Sequence, residues 1–268
     1  MKYFLAVTLF AAIACAQSRS AYFGPPPIIG FITPLTGSPY SGDWITERSD
    51  TLPDGTPVTW KFPAVKAYRD SAGRTRTERP ISGGAVLDGQ VPQSPFVIVI
   101  EDPVAQVRYT LDTVRKVAHR QNYRDPSVLR NPVPDPIEEA AHGGGVPSRN
   151  VKMDTIDDLP VLSSRTTPVT TSDDLGTNII EGITAHGFRW TTTWPNQPPT
   201  EVRELWTSTN PGVTIMQKSS NSASGVESTG RLTNISVGEP APSLFQPPPD
   251  YTIVDEPGAF KIQWSSKP

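Results

Sequence analysis

A single cysteine, Cys15, occurs in the 268 residues. That excludes an internal disulfide framework and a cysteine-based zinc ribbon. Neither sign of charge is in excess: 24 Lys+Arg stand against 27 Asp+Glu, a formal net charge of −3. So balanced a chain lacks the strongly basic face that duplex nucleic acid requires, and no nucleic-acid partner is expected. Histidine is scarce. His119, His142 and His186 fall in no H-E-x-x-H or His-x-His arrangement, so they point to no metal site. There is no Gly-x-Ser-x-Gly elbow, and Gly143-Gly144-Gly145 lacks the Lys-Ser/Thr of a phosphate loop and reads as a spacer. Asp154, Asp157 and Asp158 do not make the Asp-x-Asp-x-Asp-Gly of a calcium loop. No catalytic constellation and no cofactor is expected. Beyond residue 14 no apolar run approaches the roughly 20 residues of a membrane span. No repeat of about 20–50 residues suggests a propeller or solenoid.

What abounds is proline, 30 of 268 residues, about twice the usual share. Each interior proline costs a helix about 3 kcal/mol, so a long helical bundle is excluded. The 36% of hydrophobic residues is enough for one core, which argues against full disorder.

Residues 1–16 read as a secretory signal: Met1-Lys2, an apolar stretch from Tyr3 to Ala14, then small residues. Ala14-Cys15-Ala16 fits a small-x-small cut that releases a soluble chain beginning at Gln17. Ala12-Ile13-Ala14-Cys15 also resembles a lipobox, in which Cys15 would carry lipid, although such a box usually has Leu where Ala12 stands. The expected localisation is therefore periplasmic or extracellular, with an outer-membrane anchor as the second outcome at Cys15. Residues 17–42, with Gly24-Pro25-Pro26-Pro27, read as an extended lead-in. It would be the tether of a lipidated chain. Residues 43–255 read as a single domain with an insertion at 121–172, where seven prolines join the three glycines, and residues 256–268 read as a loose tail.

Within 43–255 the periodicity is that of β-strands. Pro53-Asp54-Gly55 and Asp70-Ser71-Ala72-Gly73 are turns between extended runs, and Pro63 interrupts the alternation between Val58 and Tyr68. Phe96-Val97-Ile98-Val99-Ile100 is apolar throughout and predicts a strand buried on both faces. Val107, Tyr109 and Leu111 alternate with polar residues. Further strands are expected at 175–181, 188–194, 202–209, 213–218, 227–237 and 251–254, with a turn region at 182–187 and a short helical turn at 240–245. The fold class is all-β and mainly antiparallel: a strongly curved sheet or open half-barrel with little helix.

Candidate site residues are aromatic. Phe188, Trp190 and Trp194 share one face of a strand, and Trp206 lies on the next. Such a set usually forms core, but it also suits an apolar or sugar ligand. The carboxylate doublets Glu101-Asp102, Asp157-Asp158 and Asp173-Asp174 each point to opposite faces of a strand, so none alone makes a glycosidase pair. Arg69, Arg74, Arg76 and Arg79 cluster at one turn and read as a solvated face.

Three segments carry a resemblance. Val65-Lys66-Ala67-Tyr68-Arg69-Asp70-Ser71-Ala72-Gly73-Arg74-Thr75-Arg76, Asp102 to Asp112, and Pro242-Ser243-Leu244-Phe245-Gln246-Pro247-Pro248-Pro249-Asp250-Tyr251 look like segments of uncharacterised secreted bacterial β-rich proteins. More distantly, the layout is similar to the half-barrel of the periplasmic lipoprotein-carrier superfamily, which sorts outer-membrane lipoproteins, and its envelope-stress-sensing relatives. That layout is an export signal, meandering strands, a late Ser-Leu-Phe turn and a final strand. In those families a curved sheet cups acyl chains. The long Pro-rich insertion and the scarcity of helix depart from them. The export signal, the all-β pattern and the missing catalytic constellation together lead to the expectation of an exported, non-enzymatic envelope protein that binds a lipid, lipoprotein or protein partner on its sheet. The alternatives are a glycan-active hydrolase using a carboxylate pair and a carbohydrate or surface-adhesion module.

Overall fold

A computed structural model describes residues 18–29, 34–52, 54–81, 86–87, 96–129, 167–194 and 201–265. The leader with Cys15, the centre of the insertion with His142, Asp157 and Asp158, and the helical turn conceivable at 137–142 lie outside them. The described residues form β1 (Ser18–Phe23), β2 (Tyr40–Thr51), β3 (Pro57–Lys61), β4 (Val65–Arg69), β5 (Thr75–Pro80), β6 (Val86–Leu87), β7 (Phe96–Asp102) and β8 (Val107–Asp112). After these come β9 (Val117–Asn122), β10 (Val169–Ile180), β11 (Ile183–Thr193), β12 (Glu201–Ser208), β13 (Val213–Asn221), β14 (Val226–Val237), β15 (Thr252–Asp255) and β16 (Phe260–Ser265). Among the described residues, helix is confined to 3-10 turns at Pro126–Leu129 and Pro242–Phe245.

One sheet runs in the order β10-β11-β12-β13-β14-β2-β4-β5-β7-β8-β9-β15, and its two end strands do not meet. It is an open half-barrel, antiparallel at every junction except β9–β15. Pro63 divides one extended run into β3 and β4, and both pair with the same long β2. Three of the hairpins are closed by the same local chemistry. Asp102, Asp112 and Asn221 each accept two N–H bonds from the residues two and three further on. The residue ending each turn, Gln106, Lys116 or Gly225, takes a positive φ. Only glycine adopts that conformation without strain. Gln106→Gly is therefore expected to raise stability by about 0.5–1 kcal/mol, read as an upward shift of the thermal unfolding midpoint.

β7 is buried on both faces, as its apolar run predicts. Ile98 and Ile100 pack with Leu111, Ala118 and Phe245 of the Pro242–Phe245 turn. Val97 packs on the opposite side with Phe260, Ile262 and Trp264. That second layer corrects the sequence reading of both ends of the chain. β1, read as part of an extended lead-in, and β16, read as a loose tail, pair antiparallel over six residues as a separate two-stranded ribbon. Hydrophobic burial against β7 offsets the entropy of ordering them. Since Ser18 opens β1, the lead-in is not the long tether that a lipidated Cys15 would have had.

Other boundaries shift as well. β9 extends to Asn122 and β10 begins at Val169, so both ends of the 121–172 insertion belong to strands. The turn region expected at 182–187 shrinks to Glu181-Gly182, both at positive φ, and β11 starts at Ile183.

Candidate functional site

β11 pairs with β12, and β12 with β13, so that Phe188 faces Leu205 and Leu205 faces Gln217, while Trp190 lies opposite Arg203. Their side chains alternate up and down along each strand. Residues directly opposite one another share a face, which gathers Phe188, Trp190, Leu205 and Gln217 on one side of the sheet. A groove of about 480 Å³ opens there, lined by Thr170, Trp190, Arg203, Leu205, Gln217 and Lys218 among others. Phe188 is 39% exposed and lies 4.9 Å from the His186 ring and 6.1 Å from Trp190, centroid to centroid. The result is a row of three rings along β11 beside an open groove. Its floor is Trp190 and Leu205. Its rim is of mixed charge: Arg203, ion-paired with Glu201 at 2.8 Å, and the ladder pair Glu204 and Lys218.

The structure separates the four aromatic candidates. Phe188 and Trp190 sit together, and Trp194 follows β11 at 42% exposure. Trp206 faces the other way. It is 8% exposed and lies across Gly187, its partner in the ladder, where an added Cβ would meet the indole at 2.7 Å. It packs with Ala185, Ile215 and Leu232 in a third core cluster. The sequence reading did not single out Leu205, Arg203 or Gln217. The strand over 202–209 was legible, but its register against β11 was not.

The other chemistry-bearing residues are tied down. Glu101 pairs with Arg108 at 2.5 Å and accepts the Tyr123 hydroxyl at 3.0 Å. Burial and the Glu101 charge push that phenol well above its ordinary range. Asp102 caps its turn. Asp174 pairs with His186 at 2.8 Å. His119 pairs with Glu256 at 2.8 Å and stacks on Phe260 at 4.8 Å. The arginine cluster is partly structural. Arg69 donates to the carbonyls of Ser38, Pro211 and Gly212. Arg74 pairs with Asp70 at 2.5 Å. Arg76 is buried between Glu78 and the Leu244 carbonyl. Arg79 alone of the four is exposed, at the rim of a second groove floored by Trp44, Phe62 and Val65. Among the described residues no three His, Cys, Asp or Glu side chains gather as a metal site.

No family model and no curated protein matches the chain. Solved structures similar to it include an uncharacterized conserved protein from Thermus thermophilus, at 8% identity and TM-score 0.38, over 82% of this chain and 91% of that one. The MucA/MucB complex of Pseudomonas aeruginosa is similar at 15% identity and TM-score 0.36, over 81% of this chain and 58% of that one. A LolA superfamily protein from Nitrosomonas europaea is similar at 7% identity and TM-score 0.26, over 80% of this chain and 92% of that one.

Proposed function

We propose that this chain is an exported, non-enzymatic binding protein of the cell envelope. Its β11–β13 groove would take the apolar part of a lipid, lipoprotein or protein partner. The observation that carries the reading is the row of half-exposed rings His186, Phe188 and Trp190 beside a groove with an apolar floor. Large apolar side chains left at the surface together mark a binding surface more often than they occur by chance. A flat sugar platform fits less well, because the Phe188 and Trp190 rings are tilted by 33° to each other. Export rests on the leader at Met1–Ala16.

The test is titration of the purified chain with palmitate and with an anionic lysophospholipid, followed by tryptophan fluorescence and native mass spectrometry. Saturable binding is expected, and Trp190→Ala should weaken it about tenfold or more. Binding that is absent, or indifferent to Trp190→Ala and Leu205→Asp, would dismiss the groove. Binding of neutral oligosaccharides instead would transfer it to the carbohydrate-adhesion reading.

A further inference from the structure

β10 ends the strand order of the large sheet, and no strand among the described residues lies against its outer edge. It is 12 residues long. Open sheet edges are ordinarily blunted by short strands, charges, proline or bulges. β10 holds no lysine or proline, and Val169 and Ile179 on it are 61% and 70% exposed; its register shift lies between Asp174 and Gly176, which leaves Val169 to Asp173 as a regular edge.

The hairpin decides which backbone groups face outward. Glu181 and Gly182, at φ of 52° and 77°, make a two-residue turn, so Ile180 and Ile183 form the hydrogen-bonded pair that closes it. Bonded and non-bonded pairs alternate from there. Counting back along the register, across its shift between Asp174 and Gly176, the residues aimed away from β11 are Thr170, Ser172, Asp174, Thr177 and Ile179. The Ile179 N–H agrees with this count, because it donates to the Asn178 Oδ1 at 2.8 Å.

Charge selects the occupant. Asp173 and Asp174 are the only charged side chains on β10, and as neighbours on a strand they project from opposite faces. Arg189, in register with Asp173, is held by Glu204 at 2.6 Å. A second copy of β10 added here would gather four carboxylates in one short ladder, and like charges across strands repel. Asp174 is already paired with His186 and accepts the Gly176 N–H, so the carboxylate that an added strand bearing lysine or arginine would meet is that of Asp173.

We propose that the outer edge of β10 is a strand-addition site for an extended, lysine- or arginine-bearing segment of a protein partner. Backbone bonds to Thr170 and Ser172 supply the affinity, and Asp173 selects the sequence. The site uses the backbone edge of the sheet and adjoins the Trp190 groove, since Thr170 lines that groove and Ser172 lies opposite Trp190.

The probes are two labelled decapeptides of alternating threonine and valine, one with two adjacent central lysines and one with glutamates there. Each is titrated onto the full chain at low ionic strength and followed by fluorescence anisotropy. The lysine peptide should bind at least about tenfold more tightly. Ser172→Pro removes an outward N–H where an edge strand tolerates proline, and should weaken that binding about tenfold or more. Ser172→Ala, which keeps the N–H, should bind as the wild type does. Where Ser172→Pro does not fold, the double variant Asp173→Asn/Asp174→Asn carries the test and should erase the preference for lysine. Equal binding of the two peptides, or undiminished binding to Ser172→Pro, overturns the proposal. So does a dimer of the wild-type chain that Ser172→Pro abolishes, which would make a second copy the occupant.

Discussion

Trp206→Ala is expected to cost about 3–5 kcal/mol of folding stability, the range for deleting a buried tryptophan. Trp190→Ala, three residues beyond Gly187 on β11 and on the face opposite Trp206, should leave stability within about 1 kcal/mol while impairing binding. The two indoles lie on neighbouring strands and look alike in sequence. Trp206 fills a space that its ladder partner Gly187 leaves open, and Ala185, Ile215 and Leu232 close around it. Its Nε1 has no hydrogen-bond partner among the described residues. Trp206→Phe, which removes that buried donor and keeps most of the ring, should therefore be far milder than Trp206→Ala. Gly187→Ala should cost about 1–3 kcal/mol by forcing the indole aside. Chemical denaturation of the four variants measures all of this. If Trp206→Ala unfolds at the wild-type midpoint, the third core cluster is not what holds β11 to β13.

The second large effect is expected at Asp112. This carboxylate is fully buried. Its Oδ1 accepts the N–H groups of Val114 and Arg115 at 3.0 and 3.1 Å and the Trp264 indole N–H at 3.1 Å. One side chain thus caps the β8–β9 turn and fastens the β1–β16 ribbon onto the sheet. Asp112→Ala strands three donors, one of them on a buried tryptophan, and should cost about 2–4 kcal/mol. For a chain of this size that is a fall of roughly 5–15 °C in the unfolding midpoint. Asp112→Asn should recover most of the loss, because an amide oxygen can accept the same bonds. Asn221 does so in the corresponding turn before β14, bonding Ala223 and Ser224 at 3.0 and 3.2 Å. Amide exchange would locate the effect: protection in β16 should fall in Asp112→Ala before it falls in β7. Equal protection of β16 in both proteins would mean that the ribbon is held by its apolar face alone.

Much of this fold was legible in the residues, and the reason is local. The break at Pro63, the doubly buried run at Phe96–Ile100, the turn at Asp70-Ser71-Ala72-Gly73, and the helical turn at Pro242–Phe245 each follow from a few neighbouring side chains. The ribbon was also written in the sequence, since Phe260-Lys261-Ile262-Gln263-Trp264 alternates at a period of two. It was read as a tail because its partner, Ser18–Phe23, is more than 230 positions away, and no local signal announces a pairing at that range.

The candidate groove was half legible. Alternation within β11 puts Phe188 and Trp190 on one face whatever else the chain does. Whether Trp206 joins them depends on the register between β11 and β12, and a slip of one residue would exchange its face. By itself, then, the sequence determined an antiparallel all-β chain with its turns in place, because turn chemistry and side-chain alternation act over a few residues. The tertiary structure alone decided which tryptophan is core and which lines the groove. It also closed the two ends of the chain over β7 and left β10 as an open edge. Those outcomes depend on register and on pairing between distant segments, which side-chain periodicity does not encode.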